Sequence, residues 1–588
     1  MKFFHKYNGF TLIETIVALG IFTIISLGIY FSYSNVLDII SSSQANLIAL
    51  SVADNEIETV RNMAYQDVGI QGGSPPGKLL AQKNVQMSGA SFLVKTFVRN
   101  IDDPFDGTIG GSPNDLAPAD YKLVEIELTC PSCARFNPVI TTTTVAPPNL
   151  ESTSKRGSLF VHVFNASGQP ISGADIHVVN NSIVPAININ DTTNLSGVLQ
   201  LIDIATSSAK YEITVSKQGY SSERTYSPND PANPNPSKPH ATVAKQALTE
   251  ISFAIDKVST VNLKTSDQMC VPVPNIDYSQ VGSKLIGVDP DIIKFSDTSY
   301  TDTNGLKTIN NLEWDTYNFQ NIDPAYDISG MSLLTPLIVN PDSTYNMSWV
   351  MGNKTPLALL AVIQDQNGQF INDASVRLNK AGYDSTKISG HRLVLNTDWY
   401  NNQYSFKTNN LETDIPAGEI TVKFIGGKYA TSSEELVSST IDFGSNTTSF
   451  YNFFWNPISQ PPQAGPDSLR FQIATNNNDQ DWVFLGPDGT TNSYYTSNNT
   501  VINSIHNNNR YLRYKILMRT GDDQFTPRLD DINIEFHSNC GLDGQSFFNG
   551  LSNATYILTV SKPGYQIFTD PSLVINKNWQ MYKVILTP

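Results

Sequence analysis

Glu14 is a carboxylate inside an apolar run of membrane length. From Phe10 to about Phe31 the chain carries no other charge. A charged side chain at bilayer depth costs about 2.5–3.5 kcal/mol on insertion scales, so it needs a partner or a purpose. Lys2, His5, Lys6 and Gly9 precede the run. An ordinary secretory signal has its cut site after the apolar core. Here Gly9 stands before it, so a cut there leaves the apolar run on the mature chain. The basic leader stays on the cytoplasmic side by the positive-inside rule.

The other reactive residues form no catalytic constellation. The seven histidines (5, 162, 177, 240, 391, 506, 537) make no HExxH or other ligand spacing. No GxSxG elbow occurs. Gly72-Gly73-Ser74-Pro75-Pro76-Gly77-Lys78 imitates a phosphate loop but ends in Leu79, and its two prolines lack the N–H donors a phosphate needs. It reads as a connecting loop. His162 and His177 are expected on neighbouring strands of a solvated sheet face. Cys130-Pro-Ser-Cys133 is half of a zinc site with no second half. It reads as a small loop disulfide or two free thiols. Cys270 and Cys540 pair only if their modules touch. No enzyme activity, cofactor or metal is expected. Calcium in the acidic loop Asp102-Asp103-Pro104-Phe105-Asp106-Gly107 is the one exception considered, and that loop fits no EF-hand spacing.

The elements that carry these residues follow from length and patterning. A chain of 588 residues exceeds what one core supports. Its formal net charge of -16 disfavours a nucleic-acid surface. Polar turns punctuating Val/Ile/Tyr/Phe runs predict β modules. Residues 10–66 read as one helix, about 80 Å long at 1.5 Å per residue. Val36, Ile39, Ile40, Leu47, Ile48, Val52, Ile57, Val60 and Met63 recur near a helical period, so the second half needs a domain to bury this stripe. Residues 67–148 supply that domain, with strands expected at 91–99, 121–128 and 139–145.

Gly9-Phe10-Thr11-Leu12-Ile13-Glu14 resembles the leader of type IV prepilins and of type II secretion pseudopilins. The resemblance implies cleavage after Gly9, N-methylation of Phe10, and a Glu14 that neutralises the terminal amine of a neighbouring subunit during assembly. It also implies that residues 67–148 form the small sheet that wraps a pilin helix. Asp120-Tyr121-Lys122-Leu123-Val124 before a strand looks pseudopilin-like.

Beyond a linker at 146–157, Asn165 to Ala174, Thr193 to Gly197 and Tyr211 to Tyr220 resemble the carboxypeptidase regulatory-like domain, a transthyretin-like β-sandwich. That is an accessory fold and implies no peptidase chemistry. The pattern recurs. Tyr556 to Tyr565 repeats Tyr211 to Tyr220, Leu359 to Ile371 repeats the opening strand and turn, and Thr301 to Gly305 repeats the Thr-x-x-x-Gly turn. The expected organisation is a leader (1–9), a transmembrane and filament-core helix (10–66), a pilin-like β domain (67–148), a regulatory-like sandwich (157–256), β modules at 257–350 and 355–457, a linker at 456–466, a jelly-roll-like sandwich (468–538) and a partial regulatory-like module (539–588). The fold class is thus an α+β N-terminal unit followed by all-β sandwiches. Trp482, Tyr494 and Tyr495 are candidate glycan contacts, since aromatic faces stack on sugar rings.

The function these readings imply is a structural minor pilin or pseudopilin, near the tip of a type IV pilus-like filament, with its β modules displayed for surface contact. Alternatives are a secretion or DNA-uptake pseudopilin in the envelope, and an exported carbohydrate-binding surface protein. The implied partners are other pilin-like subunits, the prepilin peptidase, the assembly machinery and the membrane. The implied location is the inner membrane as precursor, with the N-terminus cytoplasmic, and then an extracellular or periplasmic filament.

Overall fold

The structure, a computed structural model, describes residues 12–588 except 134, 149–152, 397–398, 400–403, 414–415, 417, 539 and 541. It contains two compact units, Met1–Val258 with Leu285–Lys294, and Ser259–Lys284 with Phe295–Pro588.

The first unit begins with one helix, α1 (Leu12–Arg61), free of proline throughout. A short 3-10 turn follows at Tyr65–Asp67. Strands β1 (Gln82–Met87), β2 (Ala90–Ile101), β3 (Tyr121–Thr129) and β4 (Val139–Val145) form an antiparallel sheet in chain order. β1 shows little hydrophobic pattern in the sequence, since Val85 and Met87 are its only apolar residues and Val85 alone packs on the core. In β2 from Phe92 onward and in β3 the even-numbered residues are buried, as the period of two in a one-sided sheet requires. Phe92, Val94, Val98, Val124, Ile126 and Leu128 pack on Ala49, Val52, Ala53, Ile57 and Val60 of α1. The helical stripe differs from the expected one. Val36, Ile39, Ile40 and Leu47 stay exposed, and Ala45, Ala49 and Ala53 are buried instead. Small side chains let the sheet sit close to the helix axis.

The first sandwich completes this unit. Gly157–Phe164 lies between Leu248–Ala254 and Val198–Ile204, opposite a sheet built on Asp175–Asn180, Ile187–Thr192 and Ser207–Ser216. His162 and His177 fall on different sheets and do not meet. His162 faces Glu250 at 3.3 Å, and His177 faces Asn188 at 2.8 Å.

The second unit repeats the sandwich twice. In all three copies the first strand pairs in parallel with the last: Gly157–Phe164 with Leu248–Ala254, Ser259–Ser266 with Thr344–Asn353, and Ala358–Gln364 with Trp579–Ile585. Each copy also has a buried tyrosine whose hydroxyl donates to a carbonyl upstream: Tyr211 to Ala205, Tyr317 to Glu313, Tyr556 to Ser552.

The Thr-x-x-x-Gly turn explains the third copy. In the first, Thr193 Oγ1 donates to Ile171 O at 2.6 Å and accepts from Ala174 N at 2.9 Å. Gly197, at φ +72°, offers its carbonyl to Val163 N. A Cβ there would meet the Val163 carbonyl. Thr301 and Gly305 occupy the same places in the second copy. In the third, Ser389 Oγ donates to Ile371 O at 2.7 Å and accepts from Ala374 N at 3.0 Å. The matching glycine, at φ +64° and bonded to Ile363 N, is Gly544. The turn is opened between these two residues, and a separate β domain is inserted there.

This arrangement corrects the expected boundaries at 355–457, 468–538 and 539–588. Gln545–Phe548 and Trp579–Ile585 flank Ala358–Gln364, so the partial module and the opening of the module before it are one sandwich. Residues 392–538 form the insert. Its strand Arg392–Asn396 pairs with Asp531–His537, which also pairs with Ser449–Asn456. Tyr511–Met518 takes Leu469–Asn476 on one side and Glu434–Ser438 on the other. The proline-rich stretch 456–466 is therefore a crossover within the insert: Ala464 accepts from Gly521 N, and Gln460 donates to Arg528 O. Trp399, Phe443, Phe450, Phe453, Phe471, Tyr514 and Phe536 belong to one core.

Candidate functional site

The candidate site is the helix and the sheet that holds it. Gly9 and Phe10 lie outside the described residues. Glu14 is placed within α1, and its side chain is outside what the structure describes. From Leu12 to Ile40 the helix presents Leu, Ile, Val, Phe and Tyr on all sides, all of them exposed among the described residues. Among the described residues, one helical span, Ile16–Arg61, is long and apolar enough to cross a membrane, with mean hydropathy 2.0 in its most apolar window. A helix apolar all round demands lipid or other helices as its surroundings.

The grip on the second half of α1 is built from polar contacts around an apolar core. Lys83 pairs with Glu56 at 2.8 Å, and Arg61 Nε donates to Thr143 Oγ1 at 3.2 Å. Arg135 reaches Asn35 Oδ1 at 2.8 Å, and Ser42 Oγ donates to Arg135 O. Lys122 is the residue the sequence reading undervalued. It points inward from β3 in line with Val124 and Ile126. Its ammonium donates to Tyr65 O at 2.8 Å and Val68 O at 2.6 Å, and lies 4.4 Å from the Tyr65 ring centre. These carbonyls follow the helix end, in the 3-10 turn where Tyr65 O also accepts from Val68 N. Burial pulls the Lys122 pKa down to about 8, against Asp203 and Asp67, which favour the charge.

The acidic loop is largely occupied with its own backbone. Asp102 Oδ2 accepts from Ile109 N at 2.9 Å, Asp103 Oδ1 from Phe105 N at 3.1 Å, and Asp120 from Asp103 N. Burial and then the carboxylates of Asp115, Asp120 and Asp106 raise Asp102 to about 6, against its bond from Ile109. Among the described residues, no group of three or more His, Cys, Asp or Glu side chains is arranged to hold a metal. Lys78 of the phosphate-loop imitation is paired with Asp67 at 2.8 Å.

Cys130 is joined to Cys133, and Cys270 to Cys540. The aromatic candidates separate. Tyr495 is fully buried, pairs with Phe471 through its backbone and accepts from Asn503 N through its hydroxyl, so it is out of reach of an external glycan. Trp482 and Tyr494 each have a face covered by a guanidinium, Arg513 and Arg470 respectively, both at 4.6 Å. These rings staple the loop 477–499 to the sheet.

A cavity of about 770 Å³ lies between the outer face of the helix-bearing sheet and the first sandwich, with Lys95, Phe97, Glu127, His177 and Asn190 among its lining. Arg99 closes one side through a two-pronged pair with Asp191, and Asn100 Nδ2 donates to Ile202 O at 3.0 Å.

A prokaryotic N-terminal methylation motif matches residues 4–30. The chain thus carries a prepilin-type N-terminus, which supports a pilin-type structural role. Similar solved structures include the Bacillus anthracis TIE protein, at 12% identity over 53% of this chain and 64% of that one, TM-score 0.16. They also include the streptococcal ancillary pilin, at 14% identity over 40% of this chain and 84% of that one, TM-score 0.14. A third is GBS52, the minor pilin of Streptococcus agalactiae, at 12% identity over 34% of this chain and 96% of that one, TM-score 0.17. No curated protein matches the chain.

Proposed function

We propose that the protein is a minor subunit of a type IV pilus-like filament, near the tip, with its sandwiches displayed for surface contact. One observation carries this reading. The half of α1 beyond the sheet is apolar on every side, while the other half is held in the N-terminal unit. Each Leu, Ile or Phe removed from water there contributes about 1.5–3 kcal/mol. Lipid satisfies this surface before assembly, and a bundle of like helices satisfies it afterwards.

In this mechanism a membrane peptidase cuts after Gly9 and methylates the new terminus at Phe10. The helix then moves from bilayer to filament. Glu14 meets the terminal amine of a neighbour, which sets the axial register and compensates a buried charge. The β modules are bulky beside a close-packed helical lattice, which favours a rare terminal subunit. The test is Glu14→Ala with a membrane-insertion control. The variant should insert normally and be absent from filaments. Normal incorporation would overturn the role of Glu14, and finding Met1 on the membrane-extracted chain would overturn the processing.

A further inference from the structure

The inserted domain joins its host sandwich through two crossings, Ser389–Arg392 and His537–Gly544, and each begins or ends beside a histidine. The two histidines are held differently. His391 Nδ1 lies 2.9 Å from Glu535 Oε1, on the insert strand Asp531–His537. Its Nε2 lies 2.8 Å from Asp373 Oδ1, on the host turn before Ser375–Lys380. The ring stacks on Tyr451 of the insert, with centroids 3.7 Å apart and planes 15° from parallel. Its side chain is only 10% exposed. A neutral imidazole has one N–H, and two carboxylate oxygens require two donors. The ring that makes both contacts is therefore the imidazolium.

Both carboxylates have further partners, and two cations, Lys562 and Arg392, stand nearby and oppose the charge. Lys562 of the host stands 4.0 Å from the second Asp373 oxygen and donates to Asn372 O. Asn452 of the insert donates to Glu535 Oε2 at 2.8 Å. Asp543 is 3.5 Å from His537 Nε2 and accepts from Asn372 Nδ2 at 2.6 Å, and His537 Nδ1 lies 2.8 Å from Gly390 O. Arg392, the next residue, is buried at the head of the first insert strand.

We infer that His391 is a proton-operated clasp that locks the inserted domain to its host sandwich. Protonated, it bridges Asp373 and Glu535. Deprotonated, one bridge becomes two facing lone pairs, and the first crossing is loosened while Gly390 keeps its bonds to Gln545 O and His537. Cys270–Cys540 remains as a covalent tie in either protonation state. Burial disfavours the charged ring, but hydrogen bonds to Glu535 and Asp373 more than offset it, so the His391 pKa lies above its ordinary value. The lock is complete below the unfolded pKa and is lost as pH rises through the raised folded value.

The test uses the full chain in lipid nanodiscs. Slow C2-proton exchange of the histidines, read by mass spectrometry, gives the His391 titration. Backbone hydrogen exchange over 389–396 and 449–456, corrected for the intrinsic pH effect, reads the lock. His391 should titrate above 6.5, and protection of both segments should fall about tenfold across that titration, the loss of one charge-assisted bond. Glu535→Gln and Asp373→Asn should each move the titration and the loss of protection to lower pH together. A His391 that titrates at or below 6.5, protection flat across the titration, or a Glu535→Gln midpoint equal to that of the wild type would each overturn the clasp. The carboxamide variants keep side-chain shape, so the test stands even where His391→Ala fails to fold.

Discussion

Lys122 ties the end of the helix to the sheet through two carbonyls and one ring. Lys122→Met keeps the stem and removes the donor, leaving Tyr65 O and Val68 O without that partner. The expected cost is about 1–3 kcal/mol, read as a lower melting temperature of the full chain in detergent. An unchanged melt would mean that the ammonium contributes nothing to the grip. His506 makes the opposite case to His391. It is 1% exposed, its Nδ1 faces Thr475 Oγ1 at 3.0 Å, and its Nε2 has no partner among the described residues. Burial depresses its pKa to about 4. Between pH 6.5 and 4 the unfolded chain binds a proton that the folded chain refuses, so stability falls as the pH drops, by up to ~3 kcal/mol. Denaturation midpoints at pH 7 and 4.5 should differ more in the wild type than in His506→Phe; equal differences would refute the assignment. The two histidines give the insert and its joint a preferred range, since His506 weakens the fold on the acid side and His391 loosens the joint on the alkaline side. Neither role was legible in the sequence. A count of seven histidines and their spacings reports only local ligand patterns, whereas Glu535 and Thr475 reach these rings from strands far along the chain. Tyr495 shows the same limit: an aromatic in a polar stretch looks exposed until the core behind it is known.

Three sandwiches share a parallel closure between first and last strand, and the third does so across an inserted domain. If Ser389 and Gly544 are the two ends of one turn, deleting Leu393–Asp543 leaves Ser389-Gly390-His391-Arg392-Gly544, with the four-residue step of Thr193 to Gly197. With Cys270→Ser to remove the orphaned thiol, the shortened chain should fold, with a cooperative melt and β-type circular dichroism. An aggregated or molten product would deny that 358–388 and 545–585 are one module. Gly544→Ala in the full chain should cost on the order of 1–3 kcal/mol, because the backbone is left-handed there and the added carbon meets the Ile363 carbonyl. The Cys270–Cys540 bond closes a loop of 270 residues, and replacing both cysteines by serine should destabilise the second unit by about 2–5 kcal/mol. The sequence reading identified the repeated strands, turns and tyrosine motif because they are local patterns of residues. It placed a boundary at 457 because it took the proline-rich stretch for a linker, and pairing between residues 358–364 and 579–585 leaves no local trace. The helix was legible in type, but it ends at Arg61 rather than at the expected 66, where a short 3-10 turn follows instead. Its buried face was not legible, because Ala45, Ala49 and Ala53 carry little hydrophobic signal beside the exposed Leu and Ile of the same helix.

At the scale of the molecule, a prepilin-type N-terminus and one bare apolar helix precede more than four hundred residues of β structure. The formal net charge of -16 makes like copies of the chain repel one another. The motif, the apolar run and the lone carboxylate in it were readable from the first residues, because membrane insertion and helix packing act on composition within a short window. Position within a filament depends on neighbouring subunits and is written in no such window. The most direct measurement is immunogold electron microscopy, with antibody to the inserted domain, on intact cells and on sheared filaments. Label is expected at filament ends and not along the shaft. Label along the whole filament would contradict the minor, terminal role, and protein confined to the envelope with no label outside would contradict surface display.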